Sequence, residues 1–264
     1  MRGDKRRLLA IFVMVLCGLL LFSGVAGALE IVLEPAKAQR EVNGKVRVHI
    51  YANPADRLIS MGVKVSFNPA ILQAASASKC EDVNNGWLMD ADGNPATTND
   101  QYNTPAVSID NTNGCVTMIG GHLIGTSTVG LSGKVLLGWI VFEAKALGNS
   151  ALAVDLGKYH PDHPNAKFDN FVKLGGAVDE PTNVPGSLGV ICVVQKACVG
   201  EANGNNIVDM GDFAMLRAAM GKVFPAPGYN VLLDLNANGA IDMGDFTILR
   251  AHMGVGCAQC DIPQ

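Results

Sequence analysis

Residues 234–254 carry the sequence DLNANGAIDMGDFTILRAHMG, and this stretch decides how the C-terminal part of the chain folds. Oxygen-bearing side chains occupy every second position of its first half, then a Gly and a short amphipathic segment follow. Alternate residues of a tight loop can converge on one point, and calcium takes six to eight oxygen ligands. The stretch therefore predicts a calcium-binding loop followed by a short helix.

Each position of the loop has a distinct expected role. Gly239 stands at the sixth position, where the chain must turn sharply, and Ile241 at the eighth is the inward-pointing apolar anchor. Asp245 closes the loop at the twelfth position, where Glu is usual. Ala240 would bind through its main-chain carbonyl and Asp242 through a water molecule. The predicted ligands are Asp234, Asn236, Asn238, Ala240, Asp242 and Asp245.

A second copy of the pattern lies 33 residues earlier, at residues 201–221, with the sequence EANGNNIVDMGDFAMLRAAMG. Glu201 replaces Asp at the first position and Asn206 replaces Gly at the sixth, where Asn tolerates a positive φ at some cost. We therefore expect two calcium ions, with weaker binding in this first loop. Its predicted ligands are Glu201, Asn203, Asn205, Ile207, Asp209 and Asp212.

A short amphipathic helix is predicted after each loop. Apolar residues recur there at helical spacing, and Gly221 and Gly254 supply C-terminal stops. The apolar positions are Phe213, Leu216 and Met220 in the first copy, and Phe246, Leu249 and Met253 in the second.

Loop, helix, linker, loop and helix in this order resemble the dockerin module of cellulosome-type assemblies, over residues 201–254. The resemblance implies that calcium keeps the module folded and that the module binds a cohesin. It also implies contact positions at Met210, Gly211, Arg217, Met243, Gly244 and Arg250. Met at the selectivity position departs from the commoner hydroxyl residues. The duplication implies that either half could present the same surface.

The N-terminal region predicts antiparallel strands. In Lys45–Tyr51, Val46, Val48 and Ile50 alternate with outward-facing Lys, Arg, His and Tyr, and Ser60–Phe67 alternates as well. About nine strands predict a mainly β fold, a jelly-roll β-sandwich, followed by a small all-α module. Residues 63–72 and 133–147 resemble a cohesin, which implies that the sandwich receives a dockerin-type partner.

The first residues predict export. A basic segment, the apolar run Leu8–Phe22 and Ala26-Gly27-Ala28 predict a secretory signal peptide, with a membrane anchor as the alternative. The expected domains are residues 1–28, 29–195 and 196–264. Cleavage would leave 16 Lys and Arg against 23 Asp and Glu, with no basic run, which argues against nucleic-acid partners. A secreted or cell-surface location follows, with no membrane span after cleavage.

Six cysteines remain after cleavage, and an even count in an exported chain predicts disulfides. Cys80 and Cys115 are expected to pair. Cys192 and Cys198 precede the repeat, and Cys257 and Cys260 follow it, so bridges among these four would clamp its ends. The alternative is a zinc site at Cys257 and Cys260.

Taken together, these patterns predict a secreted, non-catalytic adaptor that binds cohesin-type and dockerin-type proteins, with self-association as one outcome. The alternative is a carbohydrate-binding sandwich tethered by a dockerin, with Trp87 or Trp139 stacking on a polysaccharide. His160 and His163 could bind a metal, but their Pro-rich stretch favours a solvated loop, and the broken calcium pattern at Asp90 favours an Asp-Gly turn. The sequence contains no nucleophile–His–acid motif, phosphate loop or metalloprotease motif, so no enzyme is expected.

Overall fold

The structure is a computed structural model that describes residues 27–79, 107–121, 130–157, 171–258 and 260. Most of the predicted signal peptide lies outside these residues, as do Cys80, Trp87, Asp90 and the two histidines of the weaker metal signal. Within the described residues, no helix has the length and apolar character needed to cross a membrane.

The N-terminal part forms strands and the C-terminal part forms two helices. The ten strands are Glu30–Glu34 (β1), Lys37–Arg40 (β2), Lys45–Ser66 (β3), Leu72–Lys79 (β4), Val107–Asp110 (β5), Cys115–Gly121 (β6), Leu131–Ala144 (β7), Gly148–Leu156 (β8), Val172–Lys173 (β9) and Gly186–Val193 (β10). The helices are Met210–Ala219 (α1) and Met243–Ala251 (α2).

Strand β3 belongs to both layers of the sandwich. Its first half pairs with β1 and β7, and β7 pairs in turn with β4. Its second half pairs with β6 and β8, in a layer ordered β2-β10-β8-β3-β6-β5. Register shifts between Ile50 and Leu58 mark where the strand bends from one layer to the other. The predicted fold class, a mainly β sandwich followed by a small helical module, is confirmed.

The sandwich core follows the predicted alternation. Val46, Val48 and Ile50 are buried from the first half of β3, and Val63 and Val65 from the second. Full burial of such a side chain contributes about 1.5–3 kcal/mol. The two halves of β3 therefore bring the two layers together around one core.

The opposite face of β3 differs from the expectation. Arg47 and His49 do point away from the sandwich core, as predicted, but they are only 7% and 2% exposed. The C-terminal module covers this face: the His49 ring lies 5.0 Å from that of Phe224 and 6.0 Å from that of Tyr229. The outward prediction was incomplete because alternation within a strand cannot reveal a second covering layer.

The C-terminal module has a core of its own. Val208, Leu216, Ile241 and Leu249 are buried in it, and the two helices meet where the Phe213 and Phe246 rings lie 5.6 Å apart. Both helices end earlier than predicted, so Met220 and Met253 follow them and are 36% and 38% exposed. Gly221 and Gly254 adopt the positive φ expected of C-terminal stops.

Two disulfides close the module, as predicted. Cys198 pairs with Cys257 across the repeat, and Cys192 on β10 pairs with Cys260. These bonds exclude the alternative zinc site. Cys115 is a free thiol among the described residues, and its expected partner Cys80 lies outside them.

Candidate metal centre

The second loop is organised by its own side chains. Asn238 accepts a hydrogen bond from the Ala240 amide at 2.8 Å, and Asn236 accepts one from the Asn238 amide at 2.9 Å. The Asp245 carboxylate accepts bonds from the amides of Leu235, Asn236 and Asp242. Hydrogen bonds to the main chain therefore hold the predicted ligands at the third, fifth and twelfth positions within one compact loop.

The first loop repeats this network. Asn203 accepts from the Asn205 amide at 2.9 Å, and Asn205 accepts from the Ile207 amide at 3.0 Å. Asp212 accepts from the amides of residues 202, 203 and 209. Asp209 and Asp242, the ligands expected to act through water, are also the N-caps of α1 and α2. Each loop therefore leads directly into the helix that follows it.

The main-chain carbonyls at the seventh position are available in both loops. Ile207 forms an isolated antiparallel bridge with Gly256, and Ala240 forms one with Val223. The flanking residues make the bridge hydrogen bonds, for example Phe224 to Gly239 and Ile241 to Lys222. Ile207 and Ala240 are thus non-hydrogen-bonded pair members, whose carbonyls point away from the bridge.

The turns of the loops require positive φ angles. Gly239 and Asn206, both at the sixth position, have φ values of 88° and 65°, as expected for Gly and Asn. At the fourth position, Gly204 has a φ of 83° and Ala237 a φ of 60°. A left-handed Ala costs about 1–2 kcal/mol, so the second loop contains local strain that the first avoids.

The charges of the second loop fit a cation. Asp234 and Asp245 are 1% and 0% exposed, and burial, opposed by hydrogen bonds and reinforced by the Asp234 charge, raises the pKa of Asp245. Among the described residues, no three His, Cys, Asp or Glu side chains gather as a metal cluster. Amide and main-chain oxygens complete the donor set instead, which suits a hard cation such as calcium.

The six predicted partner contacts are all exposed. Met210 and Met243, the first residues of α1 and α2, are 64% and 63% exposed, and Arg217 and Arg250 are also exposed. Met210 and Met243 therefore do not pack within the module.

Gly211 and Gly244 have a second role inside the loops. A Cβ atom on Gly211 would lie 2.6 Å from the Asn203 side-chain nitrogen, and one on Gly244 would lie 2.7 Å from that of Asn236. Both glycines therefore let the helix start approach the third loop position closely. Their recurrence is explained by the loop itself, whatever they contact outside it.

Sequence reasoning missed two partners of Asp234. The Tyr229 hydroxyl donates a hydrogen bond to Asp234 Oδ2 at 2.6 Å, and Arg47 Nε of strand β3 lies 3.5 Å from the same oxygen. Burial, together with this hydrogen bond, raises the pKa of Tyr229. No pattern in the sequence connects residue 47 with residue 234, so this contact could only be found in three dimensions.

Several solved structures resemble this chain. They include the type I Coh-OlpA–Doc918 cohesin–dockerin complex from Clostridium thermocellum, with 8% identity, coverage of 64% of this chain and 100% of that one, and a TM-score of 0.44. A non-cellulosomal cohesin from Archaeoglobus fulgidus matches with 14% identity, coverage of 64% and 92%, and a TM-score of 0.42. The seventh ScaB type I cohesin from Pseudobacteroides cellulosolvens matches with 15% identity, coverage of 64% and 94%, and a TM-score of 0.40.

The family comparison concerns the two loops and their helices. No curated protein matches the chain. Residues 199–254 match the family model of the dockerin type I domain, a calcium-binding domain in general, and these residues contain both loops and both helices. The C-terminal module of this chain, over residues 199–254, is therefore a dockerin type I domain.

Proposed function

We propose that this chain is an exported, non-catalytic assembly protein whose dockerin domain binds a cohesin-type partner in the presence of calcium. The observation that supports this proposal best is the pair of equivalent surfaces that run along α1 and α2 from the first residue to the last turn. Each surface presents an exposed Met, an exposed Gly and an exposed Arg in matching positions. Met and Arg are both enriched at protein–protein interfaces relative to the rest of the surface.

Single and double substitutions test whether the two surfaces are equivalent. We expect Met210→Asp or Met243→Asp alone to leave binding of a type I cohesin within about threefold, because the other surface remains. The double variant should lose binding by about a hundredfold or more, since both apolar anchors are gone. Val178→Asp is the control, because Val178 is 55% exposed on the sandwich. Unchanged binding by the double variant would refute the assignment of these surfaces.

We also propose that the module holds two calcium ions and that the second loop binds more tightly. Asp234 reaches its position with a short carboxylate, whereas Glu201 must fold back to accept from the amides of Gly204 and Asn205. Calorimetric titration of Asp212→Asn and Asp245→Asn should remove one ion each. Loss of the tighter site in Asp212→Asn would reverse the proposed order.

The sandwich, residues 29–195, is proposed to receive a dockerin-type partner, and residues 196–264 to form the dockerin-like unit. Residues 1–28 are proposed to direct export to polysaccharide-related extracellular complexes. The carbohydrate-binding alternative gains no support from Trp139. Its ring is partly buried and carries the Arg47 guanidinium 4.2 Å above its centre, so this face is not open to a sugar.

A further inference from the structure

The sandwich inserts a buried cation into the second loop. Arg47 lies on β3 between the Trp139 ring and the loop, and only 7% of it is exposed. Its Nη2 donates a hydrogen bond to the Ala237 carbonyl at 3.2 Å, and its Nε lies 3.5 Å from Asp234 Oδ2. A planar guanidinium that is buried on both sides is a fixed charge rather than a mobile surface group.

The two oxygens of Asp234 have different partners. Oδ2 accepts hydrogen bonds from the Tyr229 hydroxyl at 2.6 Å and from the Gly239 amide at 2.9 Å, besides its ion pair with Arg47. Within the described part of the chain, Oδ1 accepts a single hydrogen bond, from the Asn238 amide at 3.0 Å. The carboxylate can therefore be held by the sandwich through one oxygen while the other remains directed at the loop.

The first loop has no such support. Glu201 accepts hydrogen bonds from the amides of Gly204 and Asn205, at the fourth and fifth loop positions. Asp234 accepts from the amides of Asn238 and Gly239, at the fifth and sixth positions. Among the described residues, however, no salt bridge reaches Glu201, which is partly exposed. The two loops thus share the amide bond of the fifth position to the first residue, and among the described residues only the second loop has a buried cation beside that residue.

The surrounding charges favour the same arrangement. Arg40 is 9% exposed, and burial lowers its pKa to about 10 against the opposing attraction of Asp234, which leaves it charged at neutral pH. Burial and the neighbouring Arg47 lower the pKa of His49 to about 4, so this residue is neutral and adds no charge there. The sandwich therefore supplies two buried cations, Arg40 and Arg47, that attract the Asp234 carboxylate.

We propose that Arg47 acts as the resident counter-charge of the second loop and keeps residues 234–239 folded and docked on the sandwich when calcium is absent. This inference rests on the proposed function of both loops as calcium sites. Because Arg47 compensates the buried Asp234 carboxylate, removal of calcium leaves no unpaired charge at this end of the loop. The first loop lacks that compensation, so its Glu201 end opens when calcium is removed.

Amide hydrogen exchange of the full chain tests the inference, because each loop has two amides bonded to its first residue, and Asn205 and Asn238 are equivalent in position. In wild type, chelator should reduce protection at the Gly204 and Asn205 amides by about tenfold or more. The Asn238 and Gly239 amides should stay within about threefold of their calcium-bound protection. Loss of protection in both pairs would overturn the inference without any variant.

Arg47→Met then identifies the group responsible. In this variant, chelator should reduce protection at Asn238 and Gly239 by about tenfold, as at the first loop. Lys134→Met is the matched control, since Lys134 is a sandwich cation that contacts Tyr51 and Glu34. The Cys192–Cys260 bond is intact in every variant, so the disulfide alone cannot explain a difference.

Two results separate this inference from the proposed function. Retained protection at Asn238 and Gly239 in Arg47→Met with chelator would overturn the role of Arg47 and leave the calcium proposal standing. If calcium changes neither amide pair in wild type, the calcium proposal fails. The role of Arg47 is then tested by whether Arg47→Met without chelator reduces the protection of the Asn238 and Gly239 amides.

Discussion

At the residue scale, the fourth position of each loop shows how one backbone conformation has different costs for two residue types. Gly204 adopts its φ of 83° freely, whereas Ala237 adopts a φ of 60° at a steric cost. A Cβ on Gly204 would meet no atom within 4 Å, so the effect of adding one would come from the backbone alone.

We predict that Gly204→Ala lowers the free energy of unfolding by about 1 kcal/mol and that Ala237→Gly leaves it unchanged or raises it by up to about 1 kcal/mol. Chemical denaturation with saturating calcium measures both. A stabilising Gly204→Ala would contradict the strain assigned to this position.

Gly239 has a reason to be glycine beyond its φ angle. A Cβ at this position would lie 3.2 Å from Arg47 Nη2, whereas Asn206 is exposed at the equivalent position of the first loop. We predict that Gly239→Asn destabilises the chain by about 1–3 kcal/mol, because Arg47 must move, and that Asn206→Gly changes stability by less than about 1 kcal/mol. Equal effects of the two substitutions in denaturation experiments would argue against close packing of Arg47.

At the element scale, β3 performs two tasks with its two faces. One face supplies the sandwich core, and the other carries Arg47 and His49 under the dockerin domain. The buried His49 is neutral in the folded protein, because its pKa is lowered to about 4 from the ordinary 6.5, mainly by burial. Its stability contribution is complete above pH 6.5 and is lost as the pH falls towards 4.

We therefore predict that wild type loses about 2 kcal/mol more stability between pH 7 and pH 5 than His49→Gln does. The charged and hydroxyl groups around the ring are Arg47, Lys134, Tyr51 and Tyr229. Denaturation of both proteins at the two pH values, with calcium saturating, gives the difference. Parallel losses would show that His49 does not set the acid sensitivity.

Much of each element could be predicted from its residues. The spacing of oxygen-bearing side chains predicted the two loops, and the period of two predicted which face of β3 is buried in the sandwich core. The cysteines on either side of the repeat predicted the disulfides that join its ends. The helix ends at Ala219 and Ala251 could not be predicted, because Met220 and Met253 keep the helical spacing while lying beyond the helices. Periodicity records which side chains are apolar and does not record where the backbone hydrogen bonds stop.

At the scale of the whole molecule, the dockerin domain and the sandwich form a connected body. The disulfide at Cys192, the Arg47–Asp234 pair and the Gln39 side chain, which bonds to the main chain of Ala258, all join them. Such joints link residues far apart in sequence, and composition or spacing cannot show them. The Met210 and Met243 surfaces remain exposed in this arrangement, so docking on the sandwich leaves the proposed partner surfaces available.

The measurement that tests the central claim most directly is calorimetric titration of a type I cohesin into the full chain, first with calcium and then with chelator. The full chain is needed because Cys192 and Cys260 join its two parts. The account predicts saturable binding with calcium and loss of that binding with chelator. The Met210 and Met243 surfaces lie beside Asp212 and Asp245, at the end of each loop that Arg47 does not compensate. Binding of equal strength with chelator, or no binding to any type I cohesin although both loops take up calcium, would contradict it.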